Sequence, residues 1–171
     1  MFSFKKLFLI ILFLFTGLSN SYSEQKIAFI DLDFVVENTN IGKEILSELN
    51  NINTQNIKKL KLREDELKLK ENQIKKKQNI ISEEEFKKEI NLLKENIKVF
   101  RDEKNKMVVN FNKAKKDKIK NLFDKMNPII QQYMDQNSID ILLERKNVYI
   151  GNIGSDITKN VIDEINKNIK K

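Results

Sequence analysis

"NIISEEEFKKEI", residues 79–90, lies inside a segment so rich in lysine, glutamate, asparagine and isoleucine that nearly all of it reads as helix. Ser82 is followed three residues later by Glu85, and then by Phe86. That order is a capping box: the serine oxygen accepts from the Glu85 backbone N–H, and the glutamate reaches back to the serine N–H. Three glutamates in the first turn also suit the positive end of a helix dipole. A helix therefore starts at Glu83. The preceding "KKKQNII" places three lysines in the last turn of an earlier helix, where cations are favoured. The segment is thus expected to be two helices joined by a tip at residues 79–82, not one rod.

Reading outward from the tip, the first helix begins near Ile41. Its seam is Ile45, Leu49, Ile52, Asn56, Leu60, Arg63, Leu67, Lys70 and Ile74. The steps are threes and fours with one extra four, a heptad pattern containing a stutter. One row turns polar (Asn56, Arg63, Lys70), which predicts weak pairing. The second helix has rows Phe86, Leu93, Phe100, Met107, Ala114 and Ile90, Ile97, Lys104, Phe111, Lys118. If the chain reverses near residue 80, paired residue numbers add to about 160. Ile74 then meets Phe86, Leu67 meets Leu93, and Leu60 meets Phe100. Three apolar matches from a single reversal point favour the hairpin. Each arm of some 40 residues would be about 60 Å long.

The flanks are different in kind. "KIAFID" (26–31) reads as a strand buried on both faces, with Ile27 and Phe29 on one and Ala28 and Ile30 on the other. Asp33 is the expected cap of a short helical turn, "DFVVEN". Pro128 is expected to bend or restart the second helix, which continues to about Asn137. "IDILLE" (139–144) and "NVYIG" (147–151) read as two further strands. "SDITKNVIDEINKNI" reads as an amphipathic helix capped by Ser155 or Asp156, with Ile157, Val161, Ile162 and Ile165 on its apolar side. The expected fold class is α+β: a long antiparallel coiled-coil hairpin over 41–127 projecting from a small β-rich body built from 24–40 and 128–171. Ile27, Phe29, Ile141, Leu143, Val148 and Ile150 are the expected core of the body or of the oligomer. A body of roughly 60 residues buries too little apolar surface to be secure alone. Bodies are therefore expected to associate.

The N-terminus has its own pattern. Lys5 and Lys6 precede the apolar run "LFLIILFLF" (7–15), and Ser21 and Ser23 stand at minus three and minus one of a cut after Ser23. This is the pattern of a secretory signal peptide, residues 1–23. A membrane span needs roughly 20 apolar residues, so the run is too short for one. The whole chain carries a net charge of +7, and loss of the two signal lysines leaves +5. A basic exported protein points to anionic partners, either a lipid or lipopolysaccharide surface or acidic polypeptide, and away from nucleic acid. The chain has no cysteine and no histidine, which removes disulfides and the commonest nucleophilic and acid–base chemistry.

With "KIAFIDLDFVV", "NIGKEILSEL", "IDILLERKNVYIG" and "DITKNVIDEIN" flanking a charged hairpin, the mature chain resembles the Skp/OmpH family of periplasmic chaperones over essentially its whole length. The resemblance implies a homotrimer with a β-rich body and three tentacles around a cavity. It also implies binding of unfolded outer-membrane proteins without ATP, and no cofactor. The arms here hold more Lys, Asn and Ile than is usual in the family.

A holdase must shield many apolar residues without selecting one sequence. Many weak apolar contacts with diffuse positive charge do that, and they must come from residues the seam leaves free. Leu62 and Leu69 lie seven apart on the first helix, Leu92 and Val99 seven apart on the second, and Val108 further on. These are the expected client contacts; their other reading is a widened seam. Asp31 and Asp33 lack the convergent ligands a metal or acid–base site needs. Gly151 and Gly154 are wrongly spaced for a phosphate loop. The reading is therefore not an enzyme. The alternative to a chaperone is an exported coiled-coil adaptor or spacer in the cell envelope.

Overall fold

The computed structural model describes residues 25–169, and the expected signal peptide with its cut after Ser23 lies outside the described residues. The order is β1 (Ile27–Ile30), α1 (Leu32–Asn38), α2 (Asn40–Lys77), α3 (Glu83–Gln136), β2 (Ile141–Glu144) and α4 (Thr158–Asn168). The helices α2 and α3 form the arm, and everything else gathers at its root.

The corner between α1 and α2 turns on two residues. Fully buried Thr39 closes α1, donating its N–H to the Val35 carbonyl at 3.0 Å, and opens α2, its Oγ1 accepting from Gly42 N–H at 3.3 Å. A Cβ on Gly42 would lie 1.9 Å from the Val36 carbonyl oxygen. Only glycine lets the two helices abut so closely. The cap of α1 is Asp31, which accepts from Phe34 N–H at 2.9 Å. Asp33 instead lies inside the first turn, where its charge suits the dipole.

Strands β1 and β2 are parallel, in the register Ile27↔Ile141 to Ile30↔Glu144. One face of the pair, with Ala28, Ile30 and Leu142, packs on Leu122, Met126 and Ile130 of α3, on Val35 of α1, and on Val161 and Ile165 of α4. The core of the base thus draws on α3 from Leu122 onward. Side chains stitch the base together: the Asp31 backbone N–H donates to Thr158 Oγ1 at 2.9 Å, and the Asn40 N–H to Asn166 Oδ1 at 2.7 Å.

Three expectations about the base are corrected. The base is less β-rich than expected, because the third strand over 147–151 does not form. Short 3-10 turns at Arg145–Asn147 and Ile153–Ser155 bracket that stretch instead. A strand needs a ladder for its backbone groups, and a single chain offers this segment none. Of the residues expected in the core of the body or the oligomer, in this single chain Phe29 is buried and Val148 half-buried, while Ile27, Ile141 and Leu143 are substantially exposed and Ile150 is 83% exposed. Pro128 does not restart the helix: α3 runs through it as one helix to Gln136, in line with the expected continuation to about Asn137. Both Pro128 and Asp124, whose carbonyl loses its partner, are exposed to hydration. Finally, neither Ser155 nor Asp156 is the N-cap of α4; that position is Ile157, while Asp156 Oδ1 accepts from Thr158 N–H at 3.0 Å.

The C-terminus of α3 has an unusual cap. Ser138 takes φ 52°, and Ile139 N–H reaches back to the Met134 carbonyl at 2.9 Å while Ser138 N–H reaches Asp135 at 3.3 Å. This is the Schellman arrangement with serine where glycine is usual. Buried Ile139 then turns the chain into β2.

Candidate functional site

The tip forms around Ser82. Its Oγ accepts from Glu85 N–H at 3.3 Å, and Glu85 Oε2 accepts from Ser82 N–H at 3.2 Å. Helix α2 ends at Lys77 and α3 starts at Glu83. Behind the tip, Leu67, Ile74 and Leu93 are buried in a cluster with Phe86, Ile90, Ile97 and Phe100. Leu60 is half-buried further down. Two ion pairs bridge the arm, Lys77–Glu89 at 2.8 Å near the tip and Glu48–Lys118 near the root. Their residue numbers add to 166 in both cases. The register therefore holds without a slip between root and tip, but it is about six residues from the expected sum of 160, so that Leu67 comes level with Phe100 and Ile74 with Leu93, in place of the expected Leu93 and Phe86. Between the apolar clusters the seam is polar, at Asn56, Arg63, Lys70 and Lys104.

The residues expected to contact clients are exposed: Leu62 by 66%, Leu69 by 62%, Leu92 by 59%, Val99 by 48% and Val108 by 52%. Helical geometry sorts them. Relative to the seam, Leu62 and Leu69 on α2 lie on the same side of the hairpin as Leu92 and Val99 on α3. The register places Val99 nearly level with Leu69, with Leu92 further toward the tip and Leu62 further toward the root. A shallow groove of about 190 Å³ on that side is lined by Lys70, Gln73 and Lys77 from α2 and by Leu92 and Asn96 from α3. A second depression holds Leu62 between Lys58 and Lys61. Val108 does not join this group, because it falls on the other side of the seam. The sequence reading does not single out Leu46 and Ile57, which are also exposed.

Charge is divided between arm and base. Residues 41–127 hold 23 lysines and arginines against 15 aspartates and glutamates, a net +8; residues 25–40 and 128–169 hold 5 against 9, a net −4. Along α2, the Glu64 carboxyl is held below its usual range by a hydrogen bond from Lys68, with smaller help from Lys104 and Lys61. Glu71 is lowered in the same way by Lys75. Among the described residues no helix is long and apolar enough to cross a membrane.

Below the arm, Ile27, Ile141 and Leu143 share the open face of the strand pair, with Tyr149, Ile150 and Ile153 exposed in the following loop. Phe29 lies on the same face but is covered, and a Cβ on Gly151 would come within 2.8 Å of its ring.

A basic two-helix arm standing on a small acidic base, which closes around a parallel strand pair, defines the class. Residues 26–165 match the family described as Outer membrane protein (OmpH-like), and the chain belongs to that family. It is similar in fold to a crystal structure described as a candidate outer membrane chaperone (OmpH-like) from Caulobacter crescentus. The TM-score is 0.78 at 17% sequence identity, over 87% of this chain and 88% of that one. No curated protein sequence matches the chain.

Proposed function

We propose that this chain is an exported holdase that binds unfolded outer-membrane proteins in the periplasm and suppresses their aggregation without ATP. Membership of the OmpH-like family and likeness to a chaperone of that family support the general reading. The observation that carries it furthest is the row of aliphatic side chains, Leu62, Leu69, Leu92 and Val99, left exposed on one side of a basic arm. Isolated exposed leucines are ordinary, whereas four aliphatic side chains along one side of the arm make a strip. Each partly buried side chain contributes about 1 kcal/mol or less, so grip comes from number and stays reversible. The surrounding lysines add attraction for acidic client segments and for anionic lipid or lipopolysaccharide.

The base supplies the means of assembly. The open apolar face of Ile27, Ile141 and Leu143, with Tyr149 and Ile150 beside it, is what a further copy would cover. Three copies, as the family resemblance implies, give a trimer with arms around a cavity. In this reading residues 1–23 are a cleaved signal peptide, 41–127 the arm, and 24–40 with 128–171 the body.

The test is dilution of a urea-denatured outer-membrane barrel protein with and without the mature chain, followed by light scattering. A holdase suppresses scattering at near-stoichiometric amounts. An adaptor or spacer leaves it unchanged, and that result would end the reading. The native particle is expected at three times the chain mass.

A further inference from the structure

The arm has a second apolar strip, on the opposite side of the seam from the first. On α2 it consists of Leu46 and Ile57, and on α3 of Val108 and Ile119. The spacing is eleven residues on each helix, three full turns, so each pair stays on one face. The register set by Glu48–Lys118 and Lys77–Glu89 places Leu46 level with Ile119 and Ile57 level with Val108. Ile57 is 56% exposed and Val108 52%. Each of the four lies one residue past a seam position of its own helix (45, 56, 107 and 118), and in an antiparallel pair that shared offset puts all four on one side. The first strip occupies the outer half of the arm, while this one occupies the half nearer the base.

The charge around the strip selects its occupant. Each aliphatic side chain has a lysine three or four residues away on its own helix: Lys43 by Leu46, Lys61 by Ile57, Lys104 by Val108 and Lys115 by Ile119. None of these lysines closes an ion pair among the described residues. A second arm of net +8 laid here would meet like charge. An extended polypeptide with apolar residues and acidic neighbours meets complementary charge.

We infer that the Leu46–Ile57–Val108–Ile119 strip is a second subsite for the same unfolded chain, so that a client is held on both sides of an arm and passes over its edge. This rests on the holdase reading and adds a site to it. Ile57 and Leu69 are about 18 Å apart along the arm at 1.5 Å per residue. A crossing segment at roughly 3.3 Å per residue therefore needs at least five or six residues between its two anchors.

The experiment places a photo-crosslinking residue at Ile57 in one full mature chain and at Leu69 in another. Each is mixed with a urea-denatured outer-membrane β-barrel protein as the probe. Adducts with the barrel protein are expected from both positions. The double variant Ile57→Ser/Val108→Ser is expected to bind the probe about tenfold more weakly, with particle mass and capture at Leu69 retained. The variant Ile57→Leu/Val108→Ile is expected to restore binding. Capture at Leu69 with none at Ile57, adducts at Ile57 only with a second copy or with lipid, or unchanged affinity of the serine variant would each overturn the second subsite alone. Absence of capture at both positions would instead overturn the holdase reading.

Discussion

Arm and base are built from one chain by opposite rules. The base is small and acidic overall, and it packs Ala28, Ile30, Val35, Leu122, Met126, Val161 and Ile165 around a strand pair. The arm is basic, has only one tight apolar cluster near its tip, and leaves its best aliphatic side chains in solvent. Burial is the main favourable term in folding. The base therefore carries the stability of the monomer, and the arm is free to keep sticky surface unspent. Removing apolar area from water in the arm is left for a partner to do.

The sharpest way to break this contrast is at the root. Gly42→Ala drives a methyl into the Val36 carbonyl and should cost about 3 kcal/mol, read as a shifted denaturation midpoint. Leu122→Ala, at a fully buried site, should cost about the same. Leu67→Ala in the arm should behave differently: amide exchange should accelerate at the tip while the protection of β1 and α4 stays unchanged. A uniform loss of protection would show arm and base to be one cooperative unit.

Salt should separate the regions next. Raising ionic strength from about 0.05 to 0.5 M shortens the screening length severalfold. It should weaken binding of an acidic unfolded probe to the arm while leaving the denaturation midpoint of the base little changed. Ser138→Gly should stabilise the base by about 1 kcal/mol, by relieving a left-handed backbone conformation at a non-glycine residue. The smallest effect concerns pH. Because Glu64 and Glu71 are held below the usual 4.5, their contribution is present above that value and is lost as pH falls through the lowered values. Helix content near residues 64–75 should fall there, and Glu64→Gln with Glu71→Gln should flatten the change.

What could be read from sequence was what local chemistry specifies. The tip follows from Ser82 and Glu85, and the seam follows from spacing. The Thr39–Gly42 corner was invisible, since an N-cap and a glycine do not announce that the preceding helix packs against them. The strand expected at 147–151 has the right composition, but no ladder partner lies beside it among the described residues. The open sheet face reads as core of the body or the oligomer, because Ile27, Ile141 and Leu143 alternate as buried residues do, whatever buries them. Val108 was grouped with Leu92 and Val99 because all three are exposed aliphatics on α3, although its spacing pairs it with Ile119. The eleven-residue repeat is present in the sequence, but it emerges only once the cross-arm register is known.

The parallel pairing of Ile27 with Ile141 has a consequence for how the molecule is made. The partners are 114 residues apart, as are Lys26 and Asp140 hydrogen-bonded beside them, and closing so long a floppy loop is entropically unfavourable. Zipping the hairpin first brings both ends together and reduces that penalty. A chain threaded across a membrane from its N-terminus would therefore emerge with β1 waiting, and the foundation could set only after the scaffold above it had come down again.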